Sequence, residues 1–432
     1  MRNRLVRILV VLGIVASVWF GVAASVFAAT TLSFWLRGNE QMLKAYQYLA
    51  DEYEKMSGVR VKPELFPEVE DKLLTAMIGH QGPDMWVAGV ITTGRWAKYG
   101  MAVPIDRKAV DPQGMIMDRA WSFVQGADDR YYGVPFNVQT NALHIRTDWL
   151  KKVGKKAPTT WDELIDVAKA FTYGDPDGNG KNDTYGLVIL GGSTKGYGWW
   201  YWQGFLWEAG GSVLRSTGNG TYKCALDSPE ALKALELYRD LGYKYKVAQP
   251  GFATAISRDG YNAFKDGIAG MIIHGPYQFM IYDPVLAGKY TAVPVPRGPA
   301  NADVLGEGEA IYISSQTSKK KQALDFAIWL TSKDAQLKAM TNQYINVVRL
   351  SIRKDVKTAD VVKDPRFQPF VEAFSNNARS PEAIPDFYAV RLIVGDMIQA
   401  VLASPDADLR SIVKKYGVKV NDELKKQGVY GE

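Results

Sequence analysis

The chain has 432 residues, which is enough for two domains that each bury a sizeable core. Apolar residues make up 47% of it and charged residues 23%, so the composition is that of an ordinary globular protein and excludes a disordered or fibrous chain. The formal charge is +6, and removing the N-terminal Arg2, Arg4 and Arg7 leaves only +3. A charge this small argues against nucleic acid as a partner.

The N-terminal segment predicts export. The three arginines precede an apolar run from Ile8 to about Val22, and Val26-Phe27-Ala28 then has the small-residue pattern of a cleavage site. We therefore expect a cleaved signal peptide over residues 1–28 and a periplasmic or extracellular protein. An uncleaved membrane anchor is the alternative, because the apolar stretch continues to about Ala29 and could just cross a bilayer.

The chain after the signal begins with alternating strands and helices. Strand-like runs at residues 31–36, 59–65 and about 85–88 are separated by helical stretches, the first of which has Asn39 as its N-cap. This β-α-β-α-β order predicts a parallel, doubly wound sheet with helices on its faces. Ligands of such sheets bind beyond the carboxyl ends of the strands, where residues 35–40 would lie.

An aromatic cluster, Tyr197-Gly198-Trp199-Trp200-Tyr201-Trp202, follows a glycine-rich run. Helical spacing from about residue 199 to 209 places Trp202, Phe205 and Leu206 on one buried face and Trp200 with Trp207 almost opposite. We expect one or two of these rings to be exposed as a binding surface for a flat ligand such as a pyranose sugar. The alternative is that all four rings of the cluster are buried in the core.

Several short motifs, taken together in order, resemble the extracellular solute-binding proteins of ABC importers, and within them the maltose and maltodextrin-type sugar-binding proteins. They are the strand end Phe34-Trp35, Gly82-Pro83-Asp84, Gly133-Val134-Pro135, Thr160-Trp161-Asp162-Glu163-Leu164, Ala269-Gly270-Met271 and Gly275-Pro276-Tyr277. None is specific alone, but their order and spacing extend over roughly 350 residues, nearly the whole of the chain after the signal.

This resemblance implies an α/β, two-lobed periplasmic-binding-protein fold, each lobe a doubly wound sheet with flanking helices. Residues 29–138 and 286–338 would form the N-terminal lobe, and residues 139–285 and 339–432 the C-terminal lobe. A ligand would bind in the cleft between them, and the lobes would close on it by hinge rotation. The loaded protein, which we expect to be a monomer, would then dock on a membrane permease.

The resemblance also implies ligand contacts. From the first lobe these are Trp35, Arg37, Asn39 and Glu40, with Gln139 just after the crossing segment, and from the second lobe Trp200, Tyr201, Tyr277 and Phe387. Glu307 is either a loop acid or a further acceptor for sugar hydroxyls. Three positions depart from the maltose-type pattern, because Ala88 replaces an aromatic residue while Tyr277 and Phe387 replace tryptophans, and these departures argue against maltose itself.

The stretch from Asp175 to Asp183 resembles a calcium-binding loop. Asp175, Asp177, Asn179 and Asp183 supply oxygens at suitable spacing, and Gly180 fits the sharp turn. The twelfth position is Gly186 instead of the usual bidentate Glu, so an Asp/Asn/Gly turn is the alternative. The resemblance requires no cofactor, and with Cys224 as the only cysteine and three histidines a zinc site is not expected.

The sequence thus predicts a receptor that binds a mono- or oligosaccharide in a cleft for an ABC importer and has no catalytic residues. A secreted glycoside hydrolase is the second hypothesis, because the distance between any two of the many carboxylates is invisible in a sequence. A surface-anchored adhesion module is the third, and it requires that the N-terminal leader is kept.

Overall fold

The structure, a computed structural model, describes residues 30–66 and 69–432. The predicted signal peptide, residues 1–28, lies outside the described residues. Within the described ranges no helix has both the length and the apolar character that a membrane span requires.

Most strands belong to two sheets. The strands are β1 (Thr31–Leu36), β2 (Arg60–Leu65), β3 (Met85–Gly89), β4 (Val134–Thr140), β5 (Ala142–Arg146), β6 (Tyr185–Leu187), β7 (Leu214–Gly218), β8 (Thr221–Cys224), β9 (Ala269–His274), β10 (Tyr290–Val293), β11 (Val304–Ile313) and β12 (Ala378–Arg379). The first sheet has the order β12-β11-β3-β1-β2, and β4 also pairs with β11. The second has the order β10-β5-β9-β6, and β7 pairs with β8 in a separate hairpin.

Helices cover both sheets. They are α1 (Glu40–Ser57), α2 (Val69–Ile78), α3 (Thr93–Lys98), α4 (Arg107–Val110), α5 (Asp118–Ser122), α6 (Thr147–Lys152), α7 (Trp161–Tyr173), α8 (Tyr197–Glu208), α9 (Pro229–Tyr243), α10 (Ser257–Lys265), α11 (Phe279–Leu286), α12 (Lys320–Leu330), α13 (Lys333–Thr341), α14 (Thr358–Val362), α15 (Gln368–Asn376), α16 (Phe387–Val401) and α17 (Leu409–Gln427).

The predicted β-α-β-α-β start is confirmed. Strand β1 pairs in parallel with both β2 and β3. Helix α1 begins where predicted, because Asn39 Oδ1 accepts the amide hydrogens of Gln41 and Met42 at 3.1 Å each, and it ends at Gly58 with φ 70°. The sheet as a whole is mixed and not purely parallel, since β11 runs antiparallel to β3 and β4.

The chain passes between the two sheets at three places. Asn141 joins β4 to β5, residues 294–303 join β10 to β11, and residues 380–386 lead from β12 to α16. Helix α16 packs on α8 and α17, on the side of the second sheet. The result is two lobes joined by three crossing segments, with the ends of several strands facing the space between them.

The strand pairing departs from the predicted lobe boundaries in two segments. Residues 290–293 were expected in the N-terminal lobe, but β10 pairs antiparallel with β5 in the second sheet. Residues 339–379 were expected in the C-terminal lobe, but Leu350 exchanges backbone hydrogen bonds with Val138 of β4, and β12 pairs with β11. The reason is that a local sequence pattern indicates a strand or helix but not the strand with which it pairs. That pairing depends on residues far away in the chain.

The expected exposure of Trp200 and Trp207 is wrong. Trp200 is only 6% exposed and Trp207 only 2%. Helix α8 packs against α9, α16 and β11, so it is surrounded on most sides, as a helix that is apolar all round must be. The alternative of a buried cluster is therefore closer, although Tyr201 remains half-buried and Trp200 faces the space between the lobes.

Glu208, at the end of α8, is a buried acid without an ion-pair partner among the described residues. Its Oε2 accepts a hydrogen bond of 2.6 Å from Trp161 Nε1, and only 3% of the residue is exposed. Burial raises the pKa of Glu208 from 4.5 to about 8. At neutral pH the folded protein therefore keeps this carboxyl protonated, whereas the unfolded chain ionises it.

We expect Glu208→Gln to remove a pH dependence of stability. Between the two pKa values, 4.5 and about 8, the unfolded state releases the proton that the folded state keeps. The free energy of unfolding should therefore fall with rising pH, by up to about 1.4 kcal/mol per unit. The glutamine keeps the acceptor for Trp161 and has no proton to lose, so urea unfolding across this range should show a flatter profile. Glu236→Gln, an exposed site on α9, is the control; an unchanged slope in Glu208→Gln would contradict the prediction.

Candidate ligand-binding cleft

A cavity of about 580 Å³ lies between the two lobes. This volume is within the range of small-molecule sites. The first lobe lines it with Arg37, Gly38, Asn39, Met42, Glu70, Asp71, Gly89, Val90, Ile91, Gln139, Glu307, Gly308, Glu309 and Arg349. The second lobe lines it with Lys195, Tyr197, Trp200, Tyr201, Ser257, Tyr261, His274, Tyr277, Tyr388 and Arg391.

Seven of the ten residues proposed as ligand contacts line this one cavity. They are Arg37, Asn39, Gln139, Trp200, Tyr201, Tyr277 and Glu307. The rings of Trp200, Tyr201 and Tyr277 are thus gathered on one wall, between the lobes, instead of being dispersed in separate cores. Their contact with a ligand stays a prediction.

The other three do not line the cavity. Trp35 is 7% exposed and packs on Phe66 with ring centroids 4.6 Å apart. Glu40 is exposed at the first turn of α1. Phe387 is buried against Trp199 at 5.4 Å and lines a smaller, separate cavity of about 70 Å³. A motif position fixes the place of a residue on its element, but the side chain follows the packing of its neighbours.

Glu309 holds the centre of the first-lobe wall. It is 1% exposed, and it accepts hydrogen bonds from Arg37 Nε at 3.1 Å and from Asn137 Nδ2 at 2.8 Å. Arg37 donates to Oε1, and Arg349 Nη1 lies 3.7 Å from Oε2, the oxygen that accepts from Asn137. Burial alone would raise the pKa of Glu309, but the charges of Arg349 and Arg37 and the Asn137 bond outweigh burial and hold that pKa below its usual range.

Glu307 connects the two lobes. Its Oε1 accepts a hydrogen bond from Gln139 Nε2 on the neighbouring strand β4. Its Oε2 accepts one of 3.2 Å from Trp200 Nε1, which belongs to α8 of the second lobe. Glu307 is therefore not a loop acid but a strand residue in the cleft. Gln139 Oε1 is buried and has no hydrogen-bond partner among the described residues.

An aromatic wall surrounds His274 on the second lobe. Its ring lies 4.9 Å from the rings of Trp200 and Tyr261, 5.0 Å from that of Tyr277 and 5.5 Å from that of Tyr201, measured between centroids. Face and edge contacts at these distances are favourable and fix the orientation of each ring. The cleft therefore presents a preformed aromatic surface opposite the polar first-lobe wall.

Hydrogen bonds determine which ring nitrogen of His274 carries the proton. His274 Nδ1 accepts the amide hydrogen of Gly275 at 2.8 Å, so in the neutral ring the proton belongs on Nε2. Nε2 then donates to the Tyr201 hydroxyl at 2.8 Å, and that hydroxyl donates to Ser257 Oγ at 3.1 Å. Burial lowers the pKa of His274 well below its ordinary value, so the ring is neutral at pH 7.

The two walls can do different things to a ligand. Carboxylate, amide and guanidinium groups on the first lobe can pair hydroxyl groups that donate and accept at once. Flat rings on the second lobe can cover an apolar face, such as the C–H face of a sugar. A ligand that touches both walls would favour the closed arrangement of the lobes over an open one.

The proposed calcium ligands lie together in an exposed loop. Asp175 Oδ1 accepts the amide hydrogen of Asn179 at 3.0 Å, and Asn179 Nδ2 donates to Asp177 and Asp183. Gly186 cannot be replaced by the missing Glu, since a Cβ there would lie 2.3 Å from the backbone of helix α7. No group of three or more His, Cys, Asp or Glu side chains is placed to hold a metal within the described ranges, and calcium binding stays a prediction.

Comparison with known proteins decides the family. The profile of the bacterial extracellular solute-binding protein family matches residues 39–337. The chain belongs to this family. A relative of this solute-binding protein is the maltotriose-binding protein of Pyrococcus abyssi, which is 24% identical over 403 residues, 88% of this chain and 80% of the relative.

Solved structures agree with the fold. An ABC transporter solute-binding protein from Thermotoga lettingae, bound with alpha-D-tagatose, is 28% identical with a TM-score of 0.78, and the match covers 92% of this chain and 100% of that one. The maltose-bound T. maritima MalE3 also has a TM-score of 0.78, at 24% identity over 91% of this chain and 100% of that one. The predicted two-lobed α/β fold is therefore confirmed.

Sequence reasoning missed several residues of this solute-binding protein's cleft. Arg349 and Arg391 come from the C-terminal third, where the motifs of the resemblance were sparse. Tyr261 and Ser257 belong to one face of α10, four residues apart, and that spacing was the available signal. His274 is buried and is also part of the cleft wall.

We expect Glu309→Gln to destabilise the fold strongly. Removing one member of a buried charge network leaves the others without compensation, which costs about 3 kcal/mol or more. Chemical denaturation at neutral pH should show the loss. Glu70→Gln is the matched control, because Glu70 is a half-buried partner of Arg37 at 3.5 Å and pairs near the surface contribute about 1 kcal/mol or less. Equal effects of the two substitutions would refute the central role of Glu309.

Proposed function

We propose that this solute-binding protein is the extracytoplasmic receptor of an ABC importer and captures a mono- or oligosaccharide between its lobes. The observation that carries the proposal is the pairing of an aromatic wall, Trp200 with Tyr201 and Tyr277, with a polar wall that contains Arg37 and Glu307. Rings cover the C–H faces of a sugar while polar groups satisfy its hydroxyls, and both must be met when water leaves.

The relatives support this reading. The Pyrococcus abyssi relative is a maltotriose-binding protein, and the two solved structures contain tagatose and maltose. A bound protein of this kind delivers its ligand to a membrane permease, so we propose an importer permease as the partner, export by the N-terminal signal, and a monomer as the working form. The family and its neighbours are binding proteins, and they give no support to the glycoside hydrolase alternative.

A ligand screen tests the proposal directly. Purified protein would be heated with a panel of mono- and oligosaccharides, and a true ligand should raise the melting temperature by an amount that grows with the logarithm of its concentration above the dissociation constant. Calorimetry on each hit gives the affinity. The saccharides that bind would also be incubated with the protein and analysed by chromatography. Cleaved products would show that the protein is an enzyme and not a receptor.

We expect Trp200→Phe to weaken saccharide binding by about tenfold. The smaller ring covers less of the ligand and lacks the donor to Glu307, and a loss of 1.4 kcal/mol corresponds to a factor of ten. Trp202→Phe is the control, since the indole of Trp202 is fully buried on the same helix, does not line the cleft, and its Nε1 has no partner among the described residues. Both variants should keep the secondary structure of the wild type. Equal affinities of the two would remove Trp200 from the site.

A further inference from the structure

Three guanidinium groups line the cleft, and one of them differs from the others in its partners. Arg37 and Arg349 each lie within 4 Å of Glu309. Arg391, on α16 of the second lobe, forms no ion pair with any carboxylate of residues 30–66 or 69–432, although only 8% of it is exposed. Its Nε donates a long hydrogen bond of 3.4 Å to Gly196 O, and its two Nη groups have no hydrogen-bond partner in the same ranges.

Rings hold the Arg391 guanidinium in place. Its Cζ lies 5.5 Å from the ring centroid of Trp199, 5.8 Å from that of Tyr388 and 5.9 Å from that of Tyr197. Cation–π contacts of this kind orient the planar group, but they do not neutralise its charge. The fork of Nη donors is therefore fixed at the cleft wall and ready to pair.

The charges that face Arg391 do not compensate for its burial. Glu307 is the carboxyl whose field supports the Arg391 charge, but its two oxygens already accept hydrogen bonds from Gln139 and Trp200. Arg37, across the cleft, opposes that charge. Burial nevertheless dominates and lowers the pKa of Arg391.

We propose that the saccharide bound by this cleft is anionic, and that Arg391 pairs with its carboxylate or phosphate group. This inference rests on the proposed function. A buried cation without a counter-charge is unfavourable, and a bidentate pair with an anion removes that cost while a neutral hydroxyl leaves the charge uncompensated. The planar fork of arginine matches the two oxygens of a carboxylate or phosphate.

Matched pairs of sugars test the inference in the wild type. Affinities for glucose and galactose, and for galactobiose, would be compared with those for glucuronate and galacturonate, and for digalacturonate. Glucose 6-phosphate is the arm that separates phosphate from carboxylate recognition. We expect at least one acidic sugar to bind about tenfold or more tightly than its neutral partner.

Arg391→Met tests the residue, because it keeps the length of the side chain and removes the charge. It should abolish the preference for the acidic sugar and leave the affinity for the neutral partner within about twofold. The ligand-free variant should melt no lower than the wild type, since a buried unpaired charge has been removed; a purely structural Arg391 would give a lower melting temperature. Arg258→Met is the control, because Arg258 is an exposed cation of the same lobe that does not line the cleft.

The failures of the two proposals are distinguishable. Tighter binding of the neutral sugars, or a preference for acidic sugars that persists in Arg391→Met, would refute the proposal of an anionic ligand. The proposal of a sugar receptor would be unaffected by either result. Binding of no sugar in either class would overturn both. If Arg391→Met did not fold, the comparison of matched sugars in the wild type would decide the question alone.

Discussion

The cleft depends on strand β11, because this strand holds both central acids in a rigid position. It runs from Val304 to Ile313 and pairs with β3 on one side and β4 on the other. Glu307 and Glu309 are two residues apart, so their side chains leave the same face of the strand, toward the cleft. Gly308 between them cannot carry a side chain, since its Cβ would lie 2.1 Å from Asn137 O.

The two acids have different partners and therefore different roles, since Glu309 stabilises the first lobe and Glu307 contacts the second lobe. Glu309 is enclosed by Arg37, Arg349 and Asn137, so its charge is compensated within the first lobe. Glu307 instead accepts from Trp200 of the second lobe, so its bond exists only while the lobes are near each other. Strand β11 thus stabilises the first-lobe wall through Glu309 and forms a hydrogen bond to the aromatic wall through Glu307.

Local sequence signals predicted the helices and strands more accurately than the residues of the binding site. The cap at Asn39 and the strand spacing in the first 60 described residues depend on near neighbours, and they were read correctly. The partner of β10 depends on residues more than 140 positions away in the chain, so a one-dimensional pattern could not supply it. The role of Arg391 could not be predicted from the sequence for the same reason. It depends on the absence of a carboxylate partner among the described residues of the folded protein, which a sequence pattern does not show.

The groups of the polar wall differ in how far a ligand can reach them. Glu309 is 1% exposed, and its charge is already compensated by Arg37, so it is closed to a solute. The side chain of Arg37 is itself 39% exposed and lines the space between the lobes. A solute that displaces water from this guanidinium must offer acceptors in its place, or the closed state loses the hydration of the donors without a return. Hydroxyl groups can accept these hydrogen bonds, whereas an apolar solute of the same shape cannot. Selectivity for polar ligands therefore follows from the exposed donors of the polar wall as much as from the rings opposite.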